Sequence, residues 1–370
     1  MTKFKLSASL VTLVTVGALM ATSGCSANKT TGSSPRGQGN STGNPGGSNL
    51  NLGGSDGIGS SLNIAGNGSA DSDSDGGLPA TCEEAGGVHS YVGCDFWPTI
   101  VANPVWEVFD PAVVVANGGM VAADVVIDGP NAFHQEVMVA PGGLQTVLLK
   151  WVADLKGPQF STVNTSTGRM KNSARVDKGA YHMTSTVPVT AWQFNPLQYT
   201  KAACPGITGG ESGCRSSSVD ASLLLPSTAM TGNYRIFGYS SKNEGTDWGS
   251  VPSGAAITAT ADNTVVTVQL GPKCGTELFP TTDLGVCVSA SSNPGIAEQK
   301  ANDVVKYMMN AGDVVELVAA WAEYPQTKNA DLSGSVINAT APVQVVSFNA
   351  IAQLPDYSVA NADHMEETVL

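Results

Sequence analysis

The chain has 370 residues, 42 of them glycine and 20 proline, and 31 acidic against 18 basic side chains give a formal net charge of -13. That balance excludes the basic footprint of a nucleic-acid binder, favours solubility, and names no partner. Charged residues are only 13%, about half the usual share, and the length left after the N-terminal segments allows one large β unit or two ordinary domains.

The first 28 residues, MTKFKLSASLVTLVTVGALMATSGCSAN, place Lys3 and Lys5 before an apolar run from Leu6 to Ala21. This is the pattern of an export signal, and the run is too short to cross hydrocarbon comfortably. The small residues of TSGC before Cys25 form a lipoprotein cleavage box. Residues 1–25 are therefore expected to be a signal peptide that leaves Cys25 lipidated, with ordinary secretion as the alternative. Residues 26–78 are mostly Asn, Gly and Ser. They cannot bury enough apolar area to offset backbone entropy, so they read as a disordered tether. Asp71, Asp73, Asp75 and Gly76 form the first half of a calcium loop, but the place of the bidentate glutamate falls on Cys82. A solvated linker end is the better reading, so no cofactor is expected, with calcium as the alternative.

From residue 79 onward short β-branched runs alternate with Gly, Pro, Asn and Asp, which predicts a mainly β fold. In chain order the expected strands are Val101–Val108, Ala112–Val115, Ala123–Ile127, Glu136–Val139, Gln145–Trp151, Ala180–Ser185 and Val189–Phe194. They continue with Tyr234–Tyr239, Ala256–Ala261, Thr264–Leu270, Val314–Ala320, Ser335–Ala339 and Val343–Phe348. Asp262–Asn263 should turn a hairpin. In PVTAWQF, Val189, Ala191 and Gln193 face one way and Thr190, Trp192 and Phe194 the other, with the aromatic side expected in the core. Apolar residues at near 3.6 spacing in Ile296–Asn310 predict one helix.

TVPVTAWQFNP at 186–196 echoes TAPVQVVSFNA at 340–350, and APGGLQTVLLKW at 140–151 resembles NAGDVVELVAAW at 310–321. These echoes predict a duplicated β-sandwich-like unit, with copies near 100–200 and 225–350, joined by short helices or crossovers. Asn195 and Asn349 should end equivalent strands by bonding local backbone.

Behind an export signal, Cys82, Cys94, Cys204, Cys214, Cys274 and Cys287 read as three disulfides between sequence neighbours. Proximity is the only guide to the pairing, since six cysteines allow about 15 connectivities. The absence of C-x2-C spacing argues against zinc ligation by these cysteines.

No strong enzyme motif is present. Asp177 and His182 are close in sequence without an identifiable nucleophile. The densest polar cluster is ADHMEETVL, with Asp363, His364, Glu366 and Glu367. In an extended chain His364 and Glu366 project to the same side, and a cation could bind there; the alternative is a solvated terminal segment. Trp248, in the loop NEGTDWGSVPSG, is the candidate contact for a protein or glycan.

YVGCDFWPTIVAN, VAPGGLQTVLLKW, STVPVTAWQFNP, DASLLLPSTAM, GSVINATAPVQVVSFNA and ADHMEETVL, in this order, resemble the N-terminal domain of IgG-Fc-binding proteins and its bacterial relatives. The resemblance runs from about Cys82 to the end. It implies an extracellular, β-rich recognition or adhesion module; fold alone does not transfer IgG Fc affinity, which is not assumed. The family pattern often carries cysteines where Ala350 and Ala362 stand here, which implies a loop without a disulfide staple. It also continues past DHMEE, whereas this chain stops at Leu370; an exposed apolar edge follows if further strands are missing.

The expectation is thus a noncatalytic surface or periplasmic protein, attached to a membrane only through lipid, that binds an extracellular protein or glycan across residues 79–370. A self-associating structural envelope component and a secreted metal-assisted hydrolase are the alternatives.

Overall fold

The computed structural model describes residues 50–51, 61–62, 77–159, 172–201, 214–216, 219–243, 250–272, 274, 286–291, 295–320, 330–352, 354 and 363–370. Helix α1 (Cys82–Val88) opens the main region; Thr81 caps it, and Thr81 and Glu84 form a reciprocal capping box. The strands that build the sheets are β1 (Gly93–Phe96), β2 (Ala112–Ala116), β3 (Ala123–Gly129), β4 (Phe133–Val139), β5 (Leu144–Leu148), β6 (Ala174–Val176), β7 (His182–Phe194) and β8 (Ala221–Leu223). They continue as β9 (Asn233–Arg235), β10 (Ser253–Ala259), β11 (Thr264–Gln269), β12 (Val304–Met309), β13 (Val314–Val318), β14 (Val336–Ala339), β15 (Val343–Ala352) and β16 (Asp363–Thr368). Among the described residues, no helix is long and apolar enough to cross a membrane.

A 7-stranded antiparallel sheet has the order β4-β3-β7-β2-β5, with β1 and β8 also paired to β7. A 5-stranded sheet has the order β16-β15-β10-β13-β6, and a 4-stranded sheet β9-β14-β11-β12. One pairing order occurs twice. β2 lies between β5 and the C-terminal half of β7, and β3 between β4 and its N-terminal half. In the same way β10 lies between β13 and β15, and β11 between β12 and β14. The echo at 186–196 and 340–350 falls on equivalent places, the second half of β7 and β15. β7 changes partner around Pro188. A missing N–H is tolerated there because no ladder bond is required of it.

The 5-stranded sheet is buried on both faces. Ala256, Val314, Val318, Val346 and Phe348 join a core with Val113, Val125, Ile127, Met183 and Ala191. On the opposite face Ile257, Val315, Leu317, Val343 and Val345 join a second core with Val266, Val268 and Ile337. This two-sided burial explains why β10, β13 and β15 lack a polar face, and why the polar residues they do carry, such as Glu316 and Gln344, are buried.

Several elements differ from the sequence reading. Val101–Val108 is no strand. Residues 97–103 form a buried strap between the two units, and side chains replace a neighbouring strand. Thr99 N donates to Gln193 Oε1, Ala102 N to Glu316 Oε1, and Val105 N to Asn103 Oδ1. Pro98 and Pro104 remove two donors that a sheet would have used. The predicted helix over Ile296–Asn310 is also absent: a turn at 301–302, with Asn302 at φ 67°, leads into β12. Tyr307 and Met309 are buried while Val304 and Met308 are exposed, which is period 2 against β11. Asp262–Asn263 does turn the chain, but β10 and β11 belong to different sheets, so it makes a corner and not a hairpin. On β7 the core side is that of Val189, Ala191 and Gln193, and Trp192 and Phe194 are only half-buried.

Candidate functional site

The two units meet where β8, the edge beside β7, runs against β16, the edge beside β15. Side chains join these edges. Thr368 N donates to Ser222 Oγ at 2.7 Å, the hydroxyls of Ser222 and Thr368 lie 2.9 Å apart, and Glu366 N donates to Asp220 Oδ2 at 2.6 Å. Strand alternation divides the ADHMEETVL cluster. His364 and Glu366 turn inward and are buried, whereas Asp363 and Glu367 are exposed on the other side. The four residues therefore do not form one site. Among the described residues, no group of three or more His, Cys, Asp and Glu is arranged to hold a metal ion.

Asn195 joins the inward pair. Its Nδ2 donates to Glu366 Oε2 at 2.5 Å, in place of the local backbone contact the sequence implies. Asn349 does bond local backbone, its Oδ1 accepting from Ile351 N at 3.2 Å while its Nδ2 donates to Ser240 O at 3.1 Å, but β15 continues past it. His364 Nδ1 lies 3.3 Å from Ala350 O, and its Nε2 lies 3.6 Å from Glu366 Oε2. Burial pushes the Glu366 carboxyl above its usual range despite His364 and Asn195, and the Asp220 charge adds to the rise. Partial desolvation also raises Asp363 and Glu367, each with a contribution from Asp220. The seam thus gathers the carboxyl groups of Asp220, Asp363, Glu366 and Glu367 beside a single imidazole.

A second cluster is half-exposed. The Trp97 and His182 rings stack at 4.1 Å and 12°. Asp95 accepts from Trp97 Nε1 at 3.0 Å and lies 2.9 Å from His182 Nε2. Burial would raise the Asp95 pKa, but the contacts with His182, Ser227 and Trp97 outweigh it and hold it below the usual carboxylate value. His182 thus pairs with Asp95, and Asp177 lies 3.5 Å from Arg175. On the exposed face of β3 and β4, His134 lies between Asp128 and Glu136, whose contacts raise its pKa.

One end of the first unit carries apolar side chains in solvent. Met120 is 91% exposed, Val121 64% and Met138 62%. Asn117 Nδ2 donates to both Val121 O and Val139 O, which fastens the 117–121 loop to the end of β4. Periodicity could not have found this patch, because its meaning lies in the packing of a loop against a strand end.

Cys82 pairs with Cys94, and Cys274 with Cys287. Cys204, the side chain of Cys214, Trp248, Cys25 and the Asp71–Asp75 run lie outside the described residues. Residues that the sequence reading missed include Lys156, whose side chain is buried and donates to Asn103 O at 3.1 Å, and the Thr81–Glu84 capping pair, whose T-x-x-E spacing was there to be read.

Residues 220–370 match the model of a family described as IgGFc binding protein. The match begins at β8 and takes in the second unit apart from β6, together with the β8–β16 seam. It supports the resemblance read from the sequence over that stretch; the similar blocks before residue 220 lie outside it. No curated protein and no solved structure gives a significant match.

Proposed function

We propose, from the family match over residues 220–370, that this chain is a noncatalytic extracellular recognition protein that binds a protein or glycan partner. The match is the observation that carries the reading. Disulfides at Cys82–Cys94 and Cys274–Cys287 agree with a secreted or surface location. In this reading residues 1–25 direct export, Cys25 carries the lipid anchor, and residues 26–78 hold the β region away from the membrane. The matching pairing orders of the two units support an internal repeat within it.

The Met120, Val121 and Met138 patch is the favoured contact surface, because exposed apolar side chains grouped on a rigid scaffold supply affinity when a partner excludes water. Trp248 is a second candidate contact. IgG Fc is one probe among others.

The test is a binding screen of the full chain, kept oxidised, against glycans and extracellular proteins including Fc and mucin. Saturable binding that Met120→Asp or Trp248→Ala weakens at least tenfold would support the reading. Concentration-dependent self-association without any ligand would favour a structural envelope component instead. The β12 edge, with Val304 and Met308 exposed, offers a surface for that.

A further inference from the structure

At the seam, three buried side chains each leave a polar atom without a hydrogen-bond partner. Asn195 is 1% exposed, His364 1% and Glu366 4%. The Ala350 carbonyl can only accept, so His364 Nδ1 carries a proton, and in the neutral imidazole Nε2 offers a lone pair. Nε2, Glu366 Oε1 and Asn195 Oδ1 have no hydrogen-bond partner. Buried polar atoms left unpaired are costly, and a bound cation would satisfy all three at once. The 3.6 Å between His364 Nε2 and Glu366 Oε2 is too long for a hydrogen bond. Two ligand atoms each about 2.1 Å from one tetrahedral ion stand about 3.4 Å apart, which is close to the separation found.

We propose that His364 Nε2, the Glu366 carboxylate and Asn195 Oδ1 form a buried site for a single divalent first-row cation of the zinc type. Imidazole beside carboxylate and carboxamide oxygen suits such an ion, while calcium asks for six or more oxygens. Asp220 stays outside the ligand set. Both of its oxygens accept backbone N–H groups, from Ala221 and Glu366, and its charge offsets that of the ion. Asp363 and Glu367 face away. The ion would tie the end of β7 to β16 and so pin the C-terminal strand. This inference stands apart from the recognition reading, since it concerns how the seam is held and not what the protein binds outside.

The experiment is zinc titration of the oxidised full chain after chelator treatment, read by bound metal per chain and by thermal unfolding. The expected result is about one equivalent bound and a Tm rise of about 5 °C at zinc 100-fold above Kd. Glu366→Gln and His364→Gln should abolish both effects. Cobalt(II) should give visible absorption without thiolate charge transfer. His134→Gln, at the exposed Asp128–Glu136 pair, should change nothing. Uptake that follows His134 instead, or zinc that leaves the wild-type Tm unmoved, overturns the proposal. Should the seam variants fail to fold, Asn195→Asp decides: an anionic third ligand should tighten binding, and unchanged affinity overturns the assignment.

Discussion

Thr99 and Gln193, 94 positions apart, exchange two hydrogen bonds: Thr99 N donates to Gln193 Oε1 at 3.0 Å, and Gln193 Nε2 donates to Thr99 O at 3.1 Å. One side-chain amide thus supplies what a neighbouring strand would. Both residues are buried, so neither backbone group has water as a substitute. Thr99 Oγ1 also lies 2.7 Å from Thr258 Oγ1, and Gln344 Nε2 donates to Trp97 O. The strap is therefore held by the first unit through Gln193 and by the second through Thr258, Gln344 and Glu316. Gln193→Leu keeps the volume and removes both partners of Thr99, and it should cost about 3 kcal/mol. Urea unfolding under oxidising conditions measures this; a loss below about 1 kcal/mol would mean that the strap does not depend on the pair.

Lys156 gives the pH dependence a definite sign. Burial lowers its pKa from 10.5 to about 8, against a small opposing effect of Glu107. At pH 7 the folded protein therefore carries a buried ammonium that the unfolded chain would hydrate. Between about pH 8 and 10.5 the unfolded chain keeps a proton that the folded chain has released. Stability should rise with pH across that window, by about 3 kcal/mol at most. Tyr181 and Tyr307, whose burial raises their pKa above 10.0, oppose this at the upper end, since they ionise first in the unfolded chain. The profile should climb from pH 8 and flatten near 10. Lys156→Met should remove the climb; a wild-type profile that falls over pH 8–9.5 would contradict the assignment.

The strands were legible where their cause is local. The β-branched runs that became β2, β3, β10, β11, β13 and β15 announce themselves within a few residues, and period 2 places His364 and Glu366 together. What failed was decided far away. WPTIVANPV reads as a strand, yet its backbone partners are Gln193 and Glu316, distant in sequence. IAEQKANDVVKYMMN satisfies helical spacing, but its second half has an open edge at Thr264–Gln269 to pair with, and pairing overrides propensity. The turn at Asp262–Asn263 was visible, whereas whether it joined one sheet or two depended on β13 and β14. Asn195 does stand at the end of β7, but the partner of its side chain, Glu366, is 171 residues on and not the local backbone.

Helix α1 depends on its first turn. Thr81 Oγ1 accepts from Glu84 N at 3.2 Å, and Glu84 Oε2 accepts from Ala80 N at 2.8 Å and Thr81 N at 3.3 Å. The helix has only 7 residues, too few to persist on propensity. Thr81→Ala should cost about 1 kcal/mol. Hydrogen exchange should quicken over residues 82–88 and not in β10 or β15. Uniform quickening would mean that α1 unfolds only with the whole protein.

Gly254 shows how closely the shared sheet is packed. A Cβ there would stand 2.6 Å from Phe348 Cζ and inside van der Waals contact of the Leu317 carbonyl oxygen. The first neighbour is the end of a side chain and the second is the backbone of β13, so they differ in how far they can give. Gly254→Ala should therefore destabilise by about 2 kcal/mol or more, as an overpacked core does. Adding Phe348→Leu, which makes room at the ring, should not restore the wild-type midpoint, because the β13 carbonyl still blocks the methyl group. Full recovery in the double variant would show that the ring alone had opposed it, and that β10 and β13 can move apart more easily than their two-sided burial implies.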